Sequence, residues 1–201
     1  MKPALISTVY WGPISYFAEI IAYDQLILES KESFIKQTFR NRTYVDGPNG
    51  LLMLNLSVNH HSPRQIDLIE VNQQEKWRQK HWQALQTSYG NSPFFEAIAA
   101  DIELLYNTPH QRLWDLNLHT FHLACKWLRI QPQLKLTTEW FPESKDAVDL
   151  RSRFHPKKDL ASSLPQYPQV FEHKTGFKEN LSILDLICNE GPAAYDYLKQ
   201  L

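Results

Sequence analysis

Apolar residues recur with a period near two in the first part of the chain and with a helical period through its middle. Residues 4–10 form a short run ending in β-branched and aromatic side chains, which predicts a buried first strand. Gly12-Pro13 breaks that run. Pro13 suits the first position of a helix over 14–23, in which Phe17, Ile20 and Ile21 share a face. Residues 25–29 read as a second strand. The strongest turn signal is Asp46-Gly47-Pro48-Asn49-Gly50, and the apolar runs on either side of it predict a β-hairpin. Residues 59–64 read as a polar loop and 66–71 as a further strand.

From Trp77 the period becomes helical, with Arg78, Trp82, Leu85 and Tyr89 in one stripe. Ser92-Pro93 reads as the cap and first position of a helix running to 106, and 112–130 is the longest predicted helix. Residues 133–138 alternate as a strand. A short helix and then a loop are expected over 143–164. Residues 165–171 suit an edge strand, because Pro165 and Pro168 exclude a central one. Residues 181–189 predict a helix buried nearly all round, capped by Asn180 and stopped by Gly191-Pro192. A last helical turn or two follows. The pattern predicts a single α/β domain over 1–201, with a mixed sheet of about five or six short strands and flanking helices; α+β is the runner-up.

Composition narrows the function classes. Hydrophobic residues at 43% and charged residues at 21% support an ordinary packed core. A net charge of −1 argues against nucleic acid as a partner held by bulk electrostatics. No apolar run is long enough to span a membrane and no signal segment is seen, so a cytoplasmic location is expected. Cys125 and Cys188 sit in apolar helical patterns and read as buried core thiols.

Candidate chemistry lies in four places. Within the buried 181–189 helix, Ser182, Asp185 and Asn189 share a face. Asp185 either pairs with an Arg to hold the fold or lines a ligand pocket. The basic segment with Lys36, Arg40, Asn41 and Arg42 either grips a phosphate or carboxylate or is a solvated face with one Arg paired to Asp185 or Asp24. Trp77, Lys80, His81 and Trp82 place a His beside aromatic rings, as a general base or as a core imidazole bonded to a carbonyl. Asp115, His119 and His122 have metal-compatible spacing, but Lys126 and Arg129 on the same stripe would repel a cation, and His60-His61 is equally weak; no metal is expected. No cofactor motif is present, so the cofactor is unknown. Motifs of metalloproteases, α/β-hydrolases and P-loop enzymes are absent.

Several stretches line up in order: Tyr16-Phe17, Asn41-Arg42, Pro48-Asn49-Gly50, Trp77 with Lys80-His81-Trp82, Tyr89, Pro93-Phe94-Phe95, Asp115-Leu116-Asn117, and 180–186 with Asn189 and Gly191-Pro192. Together they resemble the bacterial WbqC-like protein family. The resemblance implies a role near O-antigen and other surface-polysaccharide biosynthesis, where a glycine transferase activity has been suggested for one member. It implies a small-molecule or lipid-linked sugar substrate, and other polysaccharide-biosynthesis proteins as partners. Many members carry a His-Gln-Pro segment where this chain has residues 6–10, which sets it in a subgroup. The site residues the resemblance favours are Arg40, Asn41, Arg42, Lys80, His81, Asp185 and Asn189. The expected activity is small-group, possibly glycine or aminoacyl, transfer, with His81 as base oriented by Asp185 or Asn189. The alternative is a non-catalytic sugar-nucleotide or glycan-binding or assembly-partner protein.

Overall fold

The computed structural model describes residues 2–59, 61–142, 146–157 and 163–201. Its α/β architecture divides the strands between two sheets. Four short parallel strands, β1 (Ala4–Ile6), β2 (Gln25–Leu28), β5 (Gln133–Leu136) and β6 (Val148–Asp149), run in the order β5-β2-β1-β6. Ala4 pairs with both Leu26 and Val148, so β1 lies inside the sheet, and its three residues are all buried. That burial on both faces explains the unbroken apolar run. The hairpin forms where the turn signal placed it, as β3 (Arg42–Gly47) and β4 (Gly50–Asn55), and stands as its own two-stranded sheet.

Helix α1 (Ile14–Ile20) links β1 to β2, and α2 (Trp77–Tyr89), α3 (Phe95–Asn107) and α4 (Leu113–Leu128) form the helical middle. Three short helices close the chain: α5 (Glu172–Thr175), α6 (Ile183–Glu190) and α7 (Ala194–Leu198). Among the described residues, no helix is long and apolar enough to cross a membrane.

Several expectations are corrected. The strand expected over 66–71 is a 3-10 turn, Ile66–Leu68, followed by an isolated bridge between Val71 and Val58. Ser92 does not cap α3; its hydroxyl turns back to the Tyr89 carbonyl at 2.6 Å and closes α2. Inside the span expected to be helix and loop, Val148–Asp149 is a strand, too short to carry a period of its own. The remainder of that expectation falls partly on 143–145 and 158–162, outside the described residues, as does His60. The 165–171 segment is irregular rather than an edge strand.

The lead-in to α6 ties the chain's two ends together. Ser182, not Asn180, caps α6, accepting from Leu184 N, while its hydroxyl donates to Trp11 O at 3.0 Å. Asn180 caps α1 instead: its Oδ1 accepts from Ser15 N at 2.9 Å. Around them, Ile183 N donates to Gly12 O at 2.8 Å, Ile14 N to Leu181 O at 2.9 Å and Ser182 N to Tyr44 O at 2.7 Å. This knot holds Trp11 at a φ of 44°, a conformation that costs a bulky residue roughly 1–2 kcal/mol. Gly12 is required beside it, since a Cβ there would sit 2.6 Å from Val9. Thus α6 fixes the β1–α1 loop, and β3 lies against both.

Candidate functional site

His81 is 5% exposed and its ring is engaged. Tyr10 Oη lies 2.8 Å from Nδ1, Tyr106 Oη lies 2.7 Å from Tyr10 Oη, and Trp11 Nε1 donates to Tyr106 Oη at 3.1 Å. The Asn55 carbonyl takes the other ring N–H, so the neutral Nδ1 accepts from Tyr10 Oη, and Tyr10, its one proton used, accepts from Tyr106 Oη. These partners assign the ring proton to Nε2, on the side of the Asn55 carbonyl. Burial pushes the imidazole down to about 4, against a small upward pull from that carbonyl, so the ring is neutral at pH 7. The expected pairing with Asp185 or Asn189 is corrected, because His81 binds Tyr10. Asn189 is tied to the α6 backbone, donating to Asp185 O at 2.8 Å.

Arg40 also has a different partner from those expected. Its Nε and Nη2 grip Glu32 Oε1 and Oε2 at 2.7 and 2.6 Å, and Nη2 donates to Ser7 Oγ at 2.7 Å. Both ions are buried. Nearby, Arg151 reaches Glu29 at 3.3 Å, binds Asp149 and donates to the Phe141 and Pro142 carbonyls. Glu29 is completed by Thr137 Oγ1 at 2.7 Å and Lys31 N at 2.8 Å. Ser7, Glu29, Thr137 and Arg151 follow the carboxyl ends of β1, β2, β5 and β6. Because β2 and β6 flank β1 on opposite sides, this is the crevice in which open α/β sheets hold ligands. Here the protein's own satisfied ion pairs fill it, which leaves Arg40 no free edge for a phosphate. Asn41 Nδ2 donates to Leu56 O at 2.8 Å, while its Oδ1 is shielded and unpartnered among the described residues.

Asp185 differs from both clusters. It is 1% exposed, and its Oδ2 accepts from Tyr167 Oη at 2.6 Å and Gln169 Nε2 at 3.0 Å. Its Oδ1 is shielded from solvent and has no hydrogen-bond partner among the described residues. The Tyr89 hydroxyl falls outside strict hydrogen-bond geometry but lies near enough to act as a donor that favours the ionised carboxylate. Ser88 Oγ and Asp46 Oδ2 are also shielded and unpartnered among the described residues. Ser88 lies beside Gly47, and Asp46 is close enough for its charge to act on Asp185. Burial raises Asp185 to about 6, against the downward pulls of Tyr167, Tyr89 and Gln169, while the Asp46 charge adds a smaller upward push. Burial likewise raises Asp46, with Lys178 pulling it back. Shielded, unpartnered side-chain atoms also occur on Asn41, Arg42, Trp77, Arg78 and Asn117, but only on β3, the end of α2 and α6 do the described ones include carboxylate oxygens, which makes Asp185 the group to test.

The model of the WbqC-like protein family matches residues 9–162. This chain belongs to the WbqC-like protein family. The match ends before α6, yet a relative spans the whole arrangement: the uncharacterized protein Rv1507c of Mycobacterium tuberculosis is 25% identical over 230 residues, covering 98% of this chain and 97% of that protein. No solved structure matches.

The remaining WbqC-like candidates separate. Lys80 is exposed on α2, where its charge acts on the neighbouring His81. Arg42 is half-buried on the β3 face that also carries Asp46, with its Nε unpartnered. His119 meets His110 at 3.1 Å, and among the described residues no three His, Cys, Asp or Glu side chains group as metal ligands. Sequence reasoning missed Asp46, Ser88, Tyr89, Tyr167 and Gln169 as a set. Asp46 read as a turn residue and Tyr89 as part of a core stripe; only the tertiary fold brings them to Asp185.

Proposed function

We propose that this protein is a small-group transferase acting on a nucleotide- or lipid-linked sugar in surface-polysaccharide biosynthesis, with Asp185 as its proton acceptor. The observation carrying this reading is the half-engaged carboxylate: Oδ2 is clamped by Tyr167 and Gln169 while Oδ1 is enclosed and unpartnered. Such an oxygen takes the proton from an acceptor hydroxyl or amine as that atom attacks the transferred carbonyl and the donor's leaving group departs. A pKa of about 6 leaves the group ionised at neutral pH yet more basic than an ordinary Asp. Arg42 is the remaining cationic group for a phosphate, on the same strand face as Asp46. Membership of the WbqC-like family supports the setting.

The test is a thermal-shift panel of nucleotide sugars with wild type and Asp185→Asn. A ligand at ~100 times its Kd should add ~2.7 kcal/mol to the wild type. The expected result is a shift in both proteins, with product detected only in the wild type. Product formed by Asp185→Asn at the wild-type rate would refute the assignment of Asp185.

A second reading, a non-catalytic sugar-binding protein, is favoured by one observation. Trp140 is 49% exposed, and the fixed Arg151 guanidinium lies 4.5 Å from its ring, leaving an aromatic shelf beside the crevice. Loss of ligand binding in Trp140→Ala, with no product formed by the wild type, would select this reading.

A further inference from the structure

We infer that β4 is a docking edge, on which a second copy of this chain adds its own β4 antiparallel about a two-fold axis at Leu52. Consecutive apolar side chains lie open on it: Leu51 is 57% exposed, Leu52 39% and Met53 45%. Successive residues of a strand point to opposite faces, so both faces of β4 carry exposed apolar surface. The backbone is open as well. Gly47 and Gly50 pair across the tight Pro48-Asn49 turn and so bond to each other directly, and by alternation Val45 bonds Leu52 and Thr43 bonds Leu54. The N–H and C=O groups of Leu51 and Met53 therefore point away from β3. Among the described residues, no backbone group outside the hairpin bonds to them. The other sheet edges are closed or protected. On the outer side of β3, Ser182 N donates to Tyr44 O at 2.7 Å. Strand β5 carries the exposed Lys135 between Leu134 and Leu136, and Pro132 precedes it. Strand β6 is two residues long and includes Asp149. Charge, proline and shortness keep sheet edges from pairing, and β4 has none of the three.

An open ladder takes an extended strand, and this strip fits its own copy. It holds no charge that would select an acidic or basic peptide. Its free outward groups sit at Leu51 and Met53, because the Asn55 carbonyl is engaged by the His81 ring. Antiparallel pairing centred on Leu52 matches both residues at once: Leu51 of one copy faces Met53 of the other, and Leu52 faces its own counterpart. The two hairpins then form one sheet in the order β3-β4-β4-β3. Closed two-fold pairing is also the commonest form of self-association. The hairpin is held at both ends, by Lys174 Nζ donating to Pro48 O at its tip and by Leu56 N donating to Asn41 O at 2.8 Å at its base. Docking therefore costs little ordering. The strip is small beside the ~800 Å² per partner of a stable interface, so the pair is reversible.

The experiment is sedimentation velocity of the full chain from about 5 μM to about 500 μM, a range that brackets the affinities of small interfaces. It compares wild type with Leu52→Lys, Leu51→Glu and the double variant Leu51→Glu/Met53→Lys, and circular dichroism checks that each variant folds. A monomer–dimer equilibrium is expected for the wild type. Leu52→Lys sets like charges opposite each other at the axis and should weaken association by about tenfold or more. Leu51→Glu alone should weaken it too, whereas the double variant sets Glu opposite Lys in this register and should regain association. Amide exchange read by NMR at the two ends of the concentration range should show Leu51 and Met53 gaining protection, and Leu52, already bonded to Val45, gaining none. The inference is overturned if the wild type stays monomeric at about 500 μM, if Leu52→Lys associates as the wild type does, if the double variant associates no better than Leu51→Glu, or if the newly protected amides lie elsewhere. A monomer that sediments with phosphatidylcholine vesicles would give the strip to a membrane surface, which overturns it equally.

Discussion

Replacing Asp185 with Asn should make the protein more stable at neutral pH. Its carboxyl is displaced from 3.8 to about 6, which disfavours the ionised form by roughly 3 kcal/mol. The sign follows from proton uptake. Between about pH 4 and pH 6 the folded protein keeps a proton that the unfolded chain has released, so stability falls as pH rises through that window and is level above it. His81 acts oppositely. Its pKa is lowered from 6.5 to about 4, so the unfolded chain holds the extra proton and stability rises as pH climbs through nearly the same window, also by roughly 3 kcal/mol. In the wild type these two slopes nearly cancel. Asp185→Asn keeps an oxygen for Tyr167 and Gln169 and removes the buried charge, which unmasks the His81 slope. Urea denaturation at about pH 4 and about pH 8 should show the variant gaining on wild type with pH and ending about 1–3 kcal/mol more stable, several degrees in Tm for a chain of this size. A variant less stable than wild type at about pH 8 would refute the reasoning, since Asp185 would then hold the fold through its charge.

Further expectations follow from the neighbouring clusters. Arg40→Ala should cost about 3–5 kcal/mol in urea denaturation by stranding Glu32, and replacing both residues with Leu should recover most of it; a loss below about 1 kcal/mol would return Arg40 to the candidate ligands. Ser182→Ala should cost about 1–2 kcal/mol in the same assay, through the lost α6 cap and the bond to Trp11 O. NMR of the His81 ring should show no titration between about pH 6 and pH 8, in keeping with its pKa of about 4.

The elements legible in the sequence were those with a local cause. The Pro48-Asn49-Gly50 turn and the helices α2 and α4 are set by residues within a few positions of one another, although on α2 the buried face is Trp77, His81, Leu85 and Ser88 rather than the expected Arg78 and Trp82 stripe. The 3-10 turn at Ile66–Leu68 and the two-residue strand β6 were not legible, because each is fixed by pairing with distant chain. The site followed the same rule. Asp185 stood out because a carboxylate on an apolar helix demands explanation, and its Oδ1 is left shielded and unpartnered among the described residues. Arg40 and His81 drew attention for sound chemical reasons, yet Glu32 and Tyr10 satisfy them, and neither partner lies on the same helix face or strand. Asp46 and Tyr89 looked ordinary in sequence and became notable only through the atoms they leave unpartnered.

Asp185 is either a poised carboxylate or a structural anchor, and its titration separates the two. Carbon-13 NMR of the side-chain carboxyl, assigned by its absence in Asp185→Asn, measures this most directly. A titration midpoint of about 6 is expected. A midpoint below about 4 would show a carboxylate fully paired in the folded protein and would contradict it.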